Sequence, residues 1–473
     1  MKVSEYARYD ALGLGELVNS GQVSPRELVA AAQVAIERLN GEINAVIAAV
    51  PAETERALRE GPGSGAFAGA PFLIKDVGAH FANVPSECGS RLFDGVMFPY
   101  DNELAARFKR SGVVAVGRSN IPEFGASIST EPVKHGPTRN PWNPGRIAGG
   151  SSGGAAAAVA AGVIPLAHAS DGGGSIRIPA SCCGLFGLKP SRGRIPMGPK
   201  RTEGWGGNST NHAISRTVRD SAAMLDATHG VEIGSRYGAP TPEGSFLSQV
   251  SKDPGKLRVA LMLETPTGSP VDEECIAAAR GAAKLLESLG HHITEKSPKI
   301  DAKALSMANF AVLSSALTAD IEDRAKLTGI AASPEVLEKV TLIMMQYSKQ
   351  FTAVDLARAN NIYQETAISL GQFMTEYDII LSPTMAAPPV ELGRLGLMPD
   401  NFEKWGKETG DFTPWTGLFN ASGQPSMSLP LAMSKDGLPI GVMMTGRYGD
   451  EAMLLQLAGQ IERAAPWFDK RPA

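Results

Sequence analysis

Ser151 and Ser175 lie 24 residues apart, each inside a run of glycines, and Lys75 closes an apolar run upstream of both. The first run is Gly149-Gly150-Ser151-Ser152-Gly153-Gly154. A glycine loop ahead of a helix has three uses: close backbone packing, phosphate binding at the helix N-terminus, or presentation of a nucleophile. Phosphate loops continue into Gly-Lys-Ser/Thr, which is missing here. The spacing Gly149-x-Ser151-x-Gly153 matches the nucleophile elbow of α/β-hydrolases, where a strand runs directly into the serine. Asn143-Pro144-Gly145-Arg146 precedes it instead, a poor strand sequence, so an esterase using Ser151 with a histidine is the weaker reading.

The second run, Asp171-Gly172-Gly173-Gly174-Ser175, falls at a strand-to-helix junction. Such a turn is either purely structural or a nest of backbone N–H groups that suits an anion, including the oxyanion of acyl transfer. Lys75 is either a solvated strand end or a base. A base role requires that burial or nearby positive charge lower its pKa from about 10.4. The seven histidines sit in no motif, His291-His292 falls in a polar, exposed stretch, and no His-x-x-x-His pair suggests a metal. Cys88, Cys182, Cys183 and Cys275 form no CxxC pair and read as free, buried thiols.

These residues need a framework, and the composition supplies one. A chain of 473 residues with 43% hydrophobic and 20% charged residues buries a large core. A formal net charge of −4 leaves no electrostatic footprint for nucleic acid or an anionic membrane. Glycine, 52 of 473, exceeds the typical share of about 7%. The charged N-terminus lacks an apolar signal segment, and the longest uncharged run, Ile147 to Ser170, is too rich in Gly, Ala and Ser for a membrane span. The chain reads as cytoplasmic.

The opening sixty residues read as helical, with a Ser24-Pro25-Arg26-Glu27 capping box. A strand at Ala70–Ile74 ends at Lys75, a helix covers 102–111, and a strand follows at Val113–Val116. Residues 118–150 read as loop, Gly149 to Gly154 opens an Ala-rich helix ending near Gly162, and Val163–Ser170 is a buried strand. Later strands are expected at Leu257–Leu263, Tyr377–Leu381, Ser426–Leu431 and Gly441–Met444, with helices at Asp272–Leu289 and Asp450–Ala464, and Ser333-Pro334-Glu335 capping a further long helix. This rhythm predicts an α/β protein with one mixed-sheet domain over residues 1–473, on whose core an N-terminal helical segment of about residues 1–65 packs.

In combination these motifs are specific. Gly149 to Gly154, then Asp171-Gly172-Gly173-Gly174-Ser175-Ile176-Arg177-Ile178-Pro179-Ala180, then Gly184-Leu185-Phe186-Gly187-Leu188-Lys189-Pro190, with Leu73-Ile74-Lys75-Asp76 upstream, resemble the amidase signature family over nearly the whole chain. The resemblance implies an α/β/α sandwich around a twisted mixed β-sheet, without metal or organic cofactor. It implies Ser175 as nucleophile, Ser151 as a bridging serine after a cis peptide bond, Lys75 as general base, and the backbone N–H groups of Gly172, Gly173, Gly174 and Ser175 as the oxyanion hole. Glu131-Pro132 with Gly136-Pro137-Thr138-Arg139-Asn140-Pro141-Trp142-Asn143 is similar to the bacterial branch of cyclic-dimer hydrolases, aryl-acylamidases and urethanases.

The implied activity is hydrolysis of carboxylic amide C–N bonds of small molecules, with carbamates and esters as further substrates. Partners are a small-molecule amide or carbamate and water, with no nucleic acid or membrane, and the enzyme is a monomer or homodimer. The rival is a glutamine-hydrolysing amidotransferase subunit. There the family carries an aspartate at the position of Thr413, and the missing charge argues against binding glutamine's amino group. Gly125 and Thr130 are expected to line the acyl side of the pocket. Trp415 and Phe419, from an aromatic-rich patch that includes Phe402, Trp405 and Phe412, are expected to form an apolar wall. Asp171 and Arg177 are read as braces.

Overall fold

The computed structural model describes residues 1–61, 63–199 and 201–472. Among the described residues thirteen strands form: β1 (Val46–Ala49), β2 (Pro71–Lys75), β3 (Val114–Ser119), β4 (Arg139–Asn140), β5 (Asn143–Ile147), β6 (Leu166–Asp171), β7 (Phe186–Lys189), β8 (Thr210–Ser215), β9 (Arg258–Leu261), β10 (His292–Glu295), β11 (Ile379–Pro383), β12 (Ser426–Met433) and β13 (Pro439–Thr445). Eleven of them make one mixed sheet in the order β1-β3-β2-β6-β8-β7-β12-β13-β11-β9-β10. Every residue of β2, β3, β8, β11 and β13 is buried, so helices and loops cover both faces.

The site depends on the centre of this order. β2 pairs in parallel with both β3 and β6, so the carboxyl ends of the three strands emerge on one edge. That edge carries Lys75, Ser119 and Asp171, and open α/β sheets bind ligands at such edges.

Many local expectations hold. Ser24 caps the helix Pro25–Ile43 reciprocally with Glu27, whose Oε2 accepts from the Ser24 N–H at 2.8 Å. Asn102 and Asp272 cap the helices Glu103–Arg110 and Glu273–Ser288.

Other expectations are corrected. The N-terminal segment is not all helix, because β1 pairs antiparallel with β3. Residues 118–150 are not plain loop: they contain a 3-10 turn at Glu123–Gly125 and the separate β4–β5 hairpin. Asn143–Ile147 is therefore a strand despite its proline and glycine, but it lies outside the main sheet. Ser333-Pro334-Glu335 forms a turn, and the next helix starts later, at Lys339–Ser348. Its N-terminus is satisfied from far away: the buried Glu123 carboxylate accepts from the Glu338 N–H at 2.9 Å and from Thr341 Oγ1 at 2.6 Å. His291 is buried, accepting from the Leu257 N–H at 3.1 Å. The helix Ala302–Thr328 has the length and apolar composition of a membrane span, yet Leu305, Ala308, Val312, Leu317 and Ile321 on it are buried inside the protein.

Candidate active site

Lys75 comes from an apolar strand that both neighbouring strands cover, so its amine is carried into the interior and is 1% exposed. Nζ meets hydroxyls there rather than carboxylates: Ser151 Oγ and Ser152 Oγ at 2.8 Å each, and Ser170 Oγ at 2.9 Å. Burial lowers its pKa from 10.5 to about 7, with the Asp171 charge acting in the opposite direction. Ser152 Oγ donates to the Ser170 carbonyl at 3.3 Å and therefore accepts from Lys75. A neutral amine has two donors and one lone pair. Three hydroxyl partners therefore match either the three N–H donors of the ammonium form or the two donors and lone pair of the neutral form. Ser152 and Ser170 were missed in the sequence; Ser152 lies within the glycine motif, but no spacing rule pointed to Ser170.

Ser151 follows a cis Gly150–Ser151 peptide bond. Backbone packs closely around it. A Cβ at Gly150 would lie 2.8 Å from the Ile128 carbonyl carbon, and one at Gly154 would lie 2.4 Å from the Asn120 nitrogen. Gly125 (φ +69°) brings its backbone so close that a Cβ there would stand 3.1 Å from Ser151 Oγ. Ser175 lies alongside, its carbonyl accepting from the Ser152 N–H at 3.3 Å. Ser175 Oγ, on a residue 8% exposed, makes no hydrogen bond among the described residues.

The glycine turn between Asp171 and Ser175 is held by buried charge. The Asp171 carboxylate accepts from the Gly174 N–H at 2.7 Å, the Ile176 N–H at 3.1 Å, and Arg177 Nε and Nη2 at 2.9 Å each. Burial pushes the Asp171 pKa up, but Arg177, together with Lys189 and the Asn420 hydrogen bond, outweighs it and holds the carboxyl well below its ordinary range. The expected oxyanion donors are thereby narrowed. The Gly174 N–H is committed to Asp171, whereas those of Gly172, Gly173 and Ser175 make no hydrogen bond among the described residues.

A cavity of about 260 Å³ opens beside Gly172 and Gly173, with Trp205, Asn208, Asn309, Thr413, Gly417 and Leu418 in its wall. None of the described residues lining it is ionisable. None of the four expected pocket residues, Gly125, Thr130, Trp415 and Phe419, is in that wall. Trp415 and Phe419 are fully buried and pack in the core beneath it, with Trp415 Nε1 donating to the Glu264 carbonyl at 3.2 Å. Helical geometry turns Gly417 and Leu418 to the cavity instead. Thr130 is likewise buried; its hydroxyl donates to the Gly149 carbonyl at 2.9 Å and accepts from the Gly153 N–H at 3.2 Å, so it braces the Ser151 loop. Asn208 and Asn309 gave no signal in the sequence, because only the fold brings them to the turn.

No histidine hydrogen-bonds either serine among the described residues. His168, the nearest to Lys75, is held neutral by burial with its pKa lowered to about 3; Nδ1 accepts from the Lys75 N–H at 3.2 Å and Nε2 faces Asn211 Oδ1 at 3.1 Å. This arrangement weighs against the histidine-dependent esterase reading. Asp76, Glu87 and His135 bring ligand atoms within 4.8 Å of one another, but Arg118 lies 2.7 Å from Asp76, and Lys134 lies 3.1 Å from Glu87. These cations already neutralise the carboxylates.

Fold and site together define an α/β enzyme built to attack a carbonyl: hydroxyls, a buried amine and unpaired backbone N–H groups meet at one sheet edge. The sequence profile of the Amidase family matches residues 27–455. The chain is 37% identical to the 6-aminohexanoate-cyclic-dimer hydrolase of Paenarthrobacter ureafaciens, covering 98% of this chain and 96% of that one. A solved 6-aminohexanoate cyclic dimer hydrolase complexed with substrate superposes with a TM-score of 0.94 at 36% identity, over 98% of this chain and 99% of that one. A bacterial aryl acylamidase of the amidase signature family gives 0.87 at 27% identity, with 98% and 99% covered. The chain belongs to the amidase family. It is a hydrolase acting on amide C–N bonds other than peptide bonds.

Proposed function

We propose that Ser175 is the nucleophile of this amidase, with Ser151 as proton bridge and Lys75 as general base. The observation that carries this reading is the Lys75 amine, buried and 2.8 Å from Ser151 Oγ, on the edge where the glycine turn leads into Ser175. Ser175 Oγ forms a bond to the amide carbon while its proton passes through Ser151 to Lys75. Catalytic hydrogen bonds often tighten only with substrate bound, which suits a Ser175 hydroxyl free to turn toward Ser151. The N–H groups of Gly172, Gly173 and Ser175 hold the oxyanion. The C–N bond then breaks as Lys75, through Ser151, returns the proton to the leaving amine. Water adds to the acyl ester by the same route, releases the acid and restores Ser175.

The substrate is an uncharged small-molecule amide, linear, cyclic or aryl. A charged group entering the cavity would lose water without gaining an ion partner. Thr413, whose hydroxyl donates to the Thr409 carbonyl at 3.0 Å, offers no charge to glutamine's ammonium, which weighs against the amidotransferase reading. Carbamates and esters belong to the same proposal, since one acyl-transfer site takes several leaving groups. The reading treats residues 1–473 as one catalytic unit, monomeric or homodimeric. It places the enzyme in the cytoplasm, where four free cysteines stay reduced. A panel of anilides, linear amides, cyclic amides, carbamates and glutamine tests it. Turnover is expected on neutral amides and poor on glutamine, and Ser175→Ala is expected to abolish it; a fully active Ser175→Ala enzyme refutes the assignment.

A further inference from the structure

The cavity wall and the glycine turn are tied together by one short helix, Thr416–Ala421. Thr416 is fully buried, and its Oγ1 donates to the Gly173 carbonyl at 2.6 Å. The N–H at the other end of that same peptide unit, from Gly174, donates to Asp171 Oδ1 at 2.7 Å. The Gly173–Gly174 peptide is therefore gripped at both ends. One helical turn on, Asn420 Nδ2 donates to the Asp171 carbonyl at 3.2 Å, which steadies the peptide that carries the Gly172 N–H. The spacing of four puts Thr416 and Asn420 on one helix face.

Three consecutive glycines have little conformational preference of their own, so an unclamped turn would sample several peptide orientations. Electrostatic stabilisation of an oxyanion needs donors already aimed before the reaction begins. We infer that Thr416 is a positioning residue: by fixing the Gly173–Gly174 peptide it keeps the flanking N–H groups of Gly173 and Ser175 directed at the carbonyl oxygen of the bound amide. The inference rests on the oxyanion role proposed above. The Thr416 side chain is separable from its backbone, because Arg177 Nη1 holds the Thr416 carbonyl at 3.0 Å whatever the side chain is.

The test uses full-length Thr416→Val, Thr416→Ala, Thr416→Ser and Ser175→Ala, the best-cleaved anilide of the panel, and phenylboronic acid as a probe that forms a tetrahedral serine adduct. Thr416→Val is expected to lower kcat by about 10- to 100-fold, with KM within about threefold, and to weaken phenylboronic acid by the same factor as kcat. Thr416→Ser, which keeps the hydroxyl, is expected to restore kcat to within about threefold of the parent. Should the valine fail to fold by circular dichroism, the alanine variant, which introduces no new atoms, carries the same expectation. Unchanged kcat in a folded valine or alanine variant overturns the inference, and so does an equal loss in the serine variant. An active Ser175→Ala enzyme overturns the underlying reading instead, whereas an inactive one beside a fully active Thr416→Val overturns only the role of Thr416.

Discussion

A lysine amine surrounded by hydroxyls loses solvation on burial without gaining a counter-charge in contact, and this suits Lys75 to the base role proposed for it. Its pKa is lowered to about 7, so the neutral form dominates above that pH. Activity should rise through pH 7 and level off above it, and Lys75→Met should remove that limb and lower kcat by about 10²- to 10⁴-fold. Lys189, also buried and lowered to about 7, is the control: Lys189→Met should retain the limb, and a limb that vanished with Lys189 would move the base assignment there. Between about 7 and 10.5 the folded Lys75 binds fewer protons than the unfolded one, so its contribution to stability rises with pH across that window. At this scale residue type and spacing left Lys75, Ser151 and Ser175 open between structural and chemical readings, and only the combined motifs, through the family resemblance, singled them out. Gly125, Thr130, Trp415 and Phe419 lie outside the wall of the cavity beside Gly172, because sequence does not say whether a residue ends in a wall or beneath it.

The elements carry the site by close approach, and glycine is what permits it. A Cβ on Gly154 would meet the Asn120 nitrogen at 2.4 Å and the Ala45 carbonyl oxygen at 2.6 Å, both backbone atoms that cannot swing aside. Gly154→Ala should therefore destabilise by about 1–3 kcal/mol. Gly281, exposed within the helix Glu273–Ser288 and with nothing near its Cβ position, should instead stabilise by about 0.5–1 kcal/mol when changed to Ala. Urea midpoints for the two variants should move in opposite directions; movement the same way would contradict the packing argument. The Ser24 cap, whose partner Glu27 is local, was readable from the sequence. The cap on Lys339–Ser348 was not, because its carboxylate comes from Glu123, 215 residues earlier in the chain.

Across the whole molecule, distant parts of the chain meet in one buried charge network. Asp171 and Arg177 are both fully buried, and Arg177 Nη2 also donates to Asn420 Oδ1 at 2.6 Å. Removing one partner of such a pair leaves an uncompensated charge that costs about 3–5 kcal/mol, so Arg177→Met should unfold at markedly lower denaturant and lose activity. Adding Asp171→Asn should recover part of that stability without recovering turnover. A double variant no more stable than Arg177→Met would show that the arginine acts through packing alone.

The sequence by itself determined the chemical inventory and the local rules: a lysine ending an apolar strand, two serines set in glycine, a helix with its own cap, and an α/β rhythm. These depend on neighbours within a few residues, and periodicity and turn chemistry report them. Tertiary structure decided how that inventory is used. Burial turned an ordinary lysine into one with a pKa near 7, Asp171 took the Gly174 N–H out of the set of free donors, and Thr416 and Asn420 came to grip a turn some 240 residues away. Desolvation and long-range contact are properties of the assembled sheet, and no short stretch of sequence contains them.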